Sequence, residues 1–360
     1  MIRVGVIGYG YWGPNIVRNF QKIDSARVEM ICDKSPEMLN RVHKAHPEVK
    51  VTSDANEVLT SKHIDAVAIV TPVWTHFSLA KAALENGKHV FVEKPFTSDS
   101  AQAEELIDLA DQRGLIIMVD HTFLFTGAVR KIRQLIDSQT LGNLFYYDST
   151  RVNLGLFQHD VNVVWDLAPH DLSIMDYLLG GDAEAISATG QRHLNGHEDI
   201  AFITVYFPKN VIAHINVNWL SPVKVRTTLI GGEKKMLVWN DLEADEKVKV
   251  YDKGVEIKSR EGVYDALVKY RSGDMWAPQL EQGEALKTEL DYFVDCVNTL
   301  QRPFNDGQAG YRIVKMLEAA NRSLKKQGEI VRLSMSEWAT QAPVSAAITK
   351  EPLMVMRAGA

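Results

Sequence analysis

Cysteine is scarce: Cys32 and Cys296 stand far apart in a chain of 360 residues, with no C-x-x-C spacing. This excludes a disulfide framework and a dithiol or thiolate-zinc site, and it suits two small buried side chains in a reducing compartment. Long apolar runs are missing too. None approaches the roughly 20 residues that span a bilayer, and residues 1–7 lack the pattern of a secretory leader. A cytoplasmic protein without a membrane partner is expected. Charge of one sign is also lacking: 40 Lys and Arg face 46 Asp and Glu, a net charge of −6, mixed along the chain. With no basic stripe, nucleic acid is not an expected partner. Internal repeats and low-complexity tracts are absent.

What is present is the composition of an ordinary globular protein, 46% hydrophobic and 24% charged. Single cores usually stop growing at roughly 250–300 residues, so two domains are expected. The first 120 residues or so alternate short β-branched runs with amphipathic stretches. Strands are predicted at 3–7, 27–32, 66–70, 89–92 and 115–119, and helices at 15–22, 37–45, 76–85 and 101–111. This is the rhythm of a doubly wound parallel sheet with crossover helices. Asn86 and Gly87 read as a helix C-cap.

Beyond about residue 125 the rhythm changes. A helix near 128–136, a strand near 144–152 and a helix at 163–179 precede alternating strands over 184–251, with Pro208-Lys209-Asn210 and Gly231-Gly232 as turn signals. Helices return at 284–300 and 308–325. The predicted organisation is an α/β domain at 1–122, an α+β domain with a large, mainly antiparallel open sheet at 123–338, and a tail at 339–360 that reads as strand-poor or as an oligomer arm.

Gly8, Gly10 and Gly13 satisfy G-x-G-x-x-G directly after an apolar strand and at the opening of a helix. There the first glycine permits the turn, the second lets backbone approach a pyrophosphate, and the third allows helix to pack on strand, while the helix N-terminus supplies free N–H groups. Tyr11 and Trp12 complete the loop, and Pro14 fits the first helical turn. Asp33 closes the second strand, where a carboxylate accepts ribose hydroxyls and repels a 2′-phosphate. NAD is the favoured cofactor, and NADP stays open because Lys34 and Ser35 suit a phosphate. The alternative for Asp33 is a helix N-cap. Thr71 and Pro72 follow the strand at 66–70 and are expected beside the nicotinamide. His76, a turn later, reads equally as a cofactor contact or as a capping or solvated side chain.

Glu93-Lys94-Pro95 follows the strand at 89–92 and places an ammonium at the same sheet edge, with proline fixing the backbone, in cis or trans. A lone lysine there would read as surface. Asp166 and His170 are four apart and share a helix face. That spacing suits carboxylate and imidazole acting together, or a metal, but no third ligand of comparable placement accompanies them; no metal is expected.

The Gly-rich fingerprint, E-K-P and D-x-x-x-H together resemble the glucose–fructose oxidoreductase / inositol dehydrogenase (Gfo/Idh/MocA) family over most of residues 1–330. The resemblance implies a Rossmann domain, and it implies that Lys94, Asp166 and His170 surround a reacting hydroxyl. The stretches beginning at Asp120 and Arg151 look like the branch associated with nucleotide-linked sugars. Many relatives carry arginine and proline where this chain has Leu124 and Gly127. On this reading, His170 takes the proton of a secondary sugar alcohol, for example at C3 of a UDP- or TDP-hexose, as hydride passes to the cofactor. Lys94 stabilises the oxygen and Asp166 orients the imidazole. Arg151, Asn153, His159 and Asp160 are candidate substrate contacts. The alternatives are a free-sugar or inositol dehydrogenase and a non-catalytic dinucleotide sensor. A broad open sheet needs cover, so a homodimer or homotetramer is expected.

Overall fold

A computed structural model describes residues 1–155, 161–180, 183–194, 196–257 and 268–333. The expected contacts His159 and Asp160, and the tail at 339–360, lie outside the described residues.

The N-terminal half runs β1 (Ile2–Ile7), α1 (Gly13–Phe20), β2 (Ala26–Cys32), α2 (Pro36–Ala45), β3 (Lys50–Thr52), α3 (Ala55–Leu59), β4 (Ala66–Ile69), α4 (His76–Glu85), β5 (His89–Val92), α5 (Ser100–Arg113) and β6 (Ile117–Val119). Its strands form one parallel sheet in the order β3-β2-β1-β4-β5-β6. The order reverses between β1 and β4, and such a reversal opens a crevice at the carboxyl ends of the strands. Every residue of β4 and β6 is buried, as helices on both faces require. Asp99 caps α5 by accepting from the Gln102 N–H, and Gly114 (φ 64°) ends it in the left-handed region. β3 and α3, of three and five residues, are too short to show a hydrophobic period and were not anticipated.

The second half contains α6 (Gly127–Asp137), β7 (Leu144–Leu154), α7 (Val163–Leu179), β8 (Ala185–Gln191), β9 (Ile200–Tyr206), β10 (Ile212–Asn218), β11 (Leu220–Gly232), β12 (Met236–Asn240), β13 (Val248–Ile257), β14 (Val268–Trp276), α8 (Ala285–Thr299), α9 (Gly307–Lys325) and β15 (Val331–Arg332). Its nine strands run in the order β14-β13-β12-β11-β7-β10-β9-β8-β15. All neighbours are antiparallel except β7 and β10. Along β9 and β10 the inward residues Ala201, Ile203, Val205, Ala213, Ile215 and Val217 are buried under α7, while α9 covers β8. Their neighbours Phe202 and Ile212 are each 43% exposed on the open face.

Two details correct the sequence reading. Gly231 and Gly232 are not a turn but the end of β11, at a register shift against β7. A Cβ on Gly231 would lie 2.1 Å from the Tyr146 ring, so glycine there admits a cross-strand aromatic. In addition, α8, expected within the second domain, packs back on the first: Phe293 meets Phe91 at 5.6 Å and Phe20 at 6.5 Å. Burying such a ring is worth about 2–3 kcal/mol, so α8 is held against α1 and β1 of the first domain.

Candidate active site

The glycine loop is built by backbone. Gly8 has φ +102°, and a Cβ there would meet the Val70 carbonyl oxygen at 2.4 Å; one on Gly13 would meet the Gly8 carbonyl oxygen at 2.5 Å. Gly10, by contrast, faces open space with nothing within 4 Å of its Cβ position. A surface that closes on two glycines and opens at the third is a cradle left for a ligand at the α1 N-terminus. Asp33 is not the N-cap of α2; Ser35 is, accepting from the Met38 N–H. The Asp33 carboxylate instead takes the Tyr9 N–H at 2.7 Å and the Ser35 N–H at 2.8 Å, one on each oxygen. Each oxygen keeps a lone pair for a ribose hydroxyl. Lys34 is exposed and Tyr11 is 91% exposed. These residues fit an NAD adenosine half.

Around β4 and β5 the structure separates the expected contacts. Thr71 accepts a hydrogen bond from the Thr75 hydroxyl (2.7 Å), and Pro72 opens the turn that leads to α4. His76 does not face the cleft: it is fully buried, with Nδ1 2.9 Å from the Pro95 carbonyl and Nε2 2.7 Å from that of Thr71. It ties the β4 and β5 loops together, and burial keeps its ring below the ordinary histidine range. Glu93 accepts the Lys94 N–H at 3.0 Å. Burial, followed by the charge of Asp120, pushes its carboxyl pKa well up. Asp120 also takes the Trp12 indole N–H at 3.2 Å, so the indole of the glycine loop is anchored at the end of β6.

Lys94 and α7 meet where the two sheets approach. The Lys94–Pro95 peptide is cis, and Lys94 Nζ donates to the backbone carbonyl of Asp166 at 3.1 Å. Asn162 caps α7 through the Trp165 N–H, placing Asp166 in the first turn, where a carboxylate suits the helix dipole. The Asp166 carboxylate does not reach His170; its Oδ2 accepts the Trp219 indole N–H at 3.0 Å. His170 lies one turn further, partly buried, its ring edge-on to Phe123 at 5.0 Å and without a hydrogen bond among the described residues. Burial, then the positive charges of Lys94, Arg151 and Arg226, hold its pKa well below the usual value, so it is neutral with a lone pair to offer. The expected assembly of Lys94, Asp166 and His170 is therefore a neighbourhood, with Trp219 rather than His170 holding the carboxylate.

Of the expected substrate contacts, Arg151 is buried, donating to Asp171 through Nε at 2.5 Å, and Asn153 keeps an unpartnered buried Oδ1. Phe123, Trp219 and Arg226 were missed; tertiary packing alone brings Phe123 to the imidazole, Arg226 onto the Phe123 ring and Trp219 to Asp166. A cavity of about 490 Å³ is lined among others by Trp74, by Asn162 and Trp165 at the start of α7, and by Arg192 and His197. Among the described residues, no helix is long and apolar enough to cross a membrane.

Comparison with known proteins agrees with this architecture. Residues 2–121 match the description "Oxidoreductase family, NAD-binding Rossmann fold" and residues 129–238 match "GFO/IDH/MocA C-terminal domain". The chain is 26% identical to a UDP-N-acetylglucosamine 3-dehydrogenase of Acidithiobacillus ferrooxidans, covering 87% of this chain and 94% of that one. It is also 26% identical to a scyllo-inositol 2-dehydrogenase (NAD(+)) of Bacillus subtilis, covering 84% and 88%. Levoglucosan dehydrogenase in complex with NADH superposes with a TM-score of 0.80 at 18% identity, over 93% of this chain and 100% of that one, and so shares the fold. With both halves matched and the glycine cradle, Asp33 and the Lys94 edge in place, this chain belongs to the GFO/IDH/MocA family of NAD-binding oxidoreductases.

Proposed function

We propose that the protein transfers a hydride between NAD and a secondary hydroxyl or ketone of a sugar carried on a nucleotide. The observation that carries this reading is the meeting of Lys94 with α7 at the carboxyl edge of the first sheet, one helical turn from a neutral His170. When bound, NAD supplies the hydride acceptor or donor. Gly8, Gly10, Gly13 and Asp33 would hold its adenosine and pyrophosphate, and Thr71 and Pro72 lie on the nicotinamide side of the crevice.

His170 accepts the alcohol proton during oxidation and returns it during reduction. The Lys94 ammonium, aimed by the Asp166 carbonyl, stabilises negative charge on the same oxygen. Asp166, fixed by Trp219, adds a negative charge in the first turn of α7 and positions that carbonyl. The sugar-nucleotide part of the reading draws on the uridine-linked substrate in the first relative's name and on the cavity beside the exposed Trp74, whose ring suits a base. The inositol relative supports a free polyol as the second reading.

The experiment is a turnover and thermal-shift panel with NAD: UDP- and TDP-hexoses, myo- and scyllo-inositol, and UDP or TDP alone. Nucleotide-sugar use predicts NAD reduction with a UDP- or TDP-hexose and a rise in melting temperature with the free nucleotide. Reduction by an inositol without any nucleotide shift would sink it. We further propose that the domains divide near residue 122, that a second copy covers the open sheet face bearing Phe202 and Ile212, and that the enzyme works in the reducing cytoplasm.

A further inference from the structure

Arg151 and Arg226 stand directly opposite each other in the antiparallel pairing of β7 with β11. Like charges in that relation repel and cost stability, so strand pairing alone gives no reason for them. Both guanidiniums lie over one aromatic ring: Arg151 Cζ is 4.6 Å and Arg226 Cζ 5.6 Å from the centre of Phe123. The same ring meets the His170 imidazole at 5.0 Å. One phenyl therefore connects two cations to the proposed base.

The anions on this wall do not match its cations. Asp171 is taken up by Arg151. Asp241 is shared between Arg226 at 3.3 Å and Lys247 at 3.9 Å. The Asp166 carboxylate is bonded by Trp219, while Lys94 rests on a neutral carbonyl. In the ion pairs of the arginine cluster, Arg151, Arg226 and Lys247 thus share two carboxylates, Asp171 and Asp241. Among the described residues, Arg151 Nη1 is buried without a partner. Arg226 is the accessible member, its side chain 32% exposed against 7% for Arg151. Burial and the neighbouring Arg151 pull the Arg226 pKa down, the direction expected where a cation lacks a full counter-charge.

We propose that Arg226, backed by Arg151 across the strand pair, receives an anionic group on the sugar itself, a carboxylate or a phosphate, so that the preferred substrates are acidic sugars rather than neutral polyols. A guanidinium presents parallel N–H donors to such a group, and a partly desolvated site strengthens the contact. The inference deepens the proposed hydride transfer at Lys94 and His170 and rests on it.

The test is calorimetric binding to NAD-loaded protein of UDP-glucose, UDP-glucuronate, UDP, glucose and glucose 6-phosphate, with wild type, Arg226→Gln and Arg226→Lys. UDP-glucuronate is expected to bind about tenfold or more tightly than UDP-glucose, a gap typical of one charge-assisted contact. The gap should collapse toward one in Arg226→Gln and be partly restored in Arg226→Lys. If the anion is a phosphate, the corresponding gap appears between glucose 6-phosphate and glucose. Arg226→Gln should melt close to wild type, because relief of the repulsion from Arg151 offsets loss of the Asp241 and Phe123 contacts. Equal losses for UDP-glucose, UDP-glucuronate and UDP would put Arg226 on the nucleotide diphosphate and overturn the proposal. Equal binding of acidic and neutral sugars, or no binding of the acids, would overturn it as well. An acid preference that depends on Arg226, with no reduction of NAD by any ligand tested, would instead overturn the hydride-transfer reading and leave the anion subsite standing.

Discussion

The two walls of the cleft are made by different means. The dinucleotide wall is a backbone construction: Gly8 and Gly13 close against carbonyl oxygens, Gly10 opens to the cleft, and Asp33 binds backbone N–H groups. The opposite wall is made of side chains drawn from the turn at Thr122–Phe125, a helix and two strands, with Phe123, His170, Arg151 and Arg226 held by ring contacts and shared charge. Backbone geometry tolerates almost no change of residue but serves many chemistries. A wall of side chains is easily retuned.

Three experiments would break or sharpen this contrast. The largest effect is expected from Lys94→Ala, which on the proposed mechanism removes a group from the reacting oxygen while leaving the glycine cradle whole: kcat/KM should fall about 10³-fold, with NAD affinity within about threefold of wild type. Steady-state kinetics and cofactor fluorescence titration read the two numbers separately, and a parallel loss of both would show that the walls are not independent. Next comes Gly8→Ala on the other wall. A methyl group 2.4 Å from the Val70 oxygen at a positive φ should destabilise the fold by about 2–4 kcal/mol and abolish NAD binding. Urea unfolding measures the first effect, and a stability change below about 0.5 kcal/mol would contradict the steric argument.

The smallest effect concerns pH. His170 is neutral in the fold because burial and nearby cations lower its pKa below the ordinary 6.5. The unfolded chain therefore binds more protons in that region, so the stability from the neutral ring is complete above the ordinary value and is lost as pH falls below it toward the folded value. Catalysis by a neutral base should persist over the same interval, with the acid limb of kcat/KM for alcohol oxidation lying below 6.5. An acid limb at or above that value would remove His170 from the role of base.

The wall made of backbone was the more readable one. Glycine spacing after an apolar strand, Asp33 at the end of β2 and the lysine after β5 are local features whose consequences are local. Ser35 rather than Asp33 as the cap, and the burial of His76, were less readable. Each depends on which of several nearby polar groups wins a hydrogen bond, and His76 is claimed by the Pro95 carbonyl from another strand end. Asp166 shows the same limit. Spacing on a helix puts it on the face of His170, but the Trp219 indole takes its carboxylate from across the sheet.

By itself, the chain's order of residues determined the doubly wound first sheet and the dinucleotide crevice, because hydrophobic period and turn chemistry act over a few residues. Tertiary structure alone decided that α8 returns to the first sheet, that Trp219 holds Asp166, and that two arginines from separate strands face one ring beside the imidazole. Those outcomes come from strand register and from packing between residues far apart in sequence, where each side chain's partner is set by the sum of burial and charge around it and not by its neighbours along the chain.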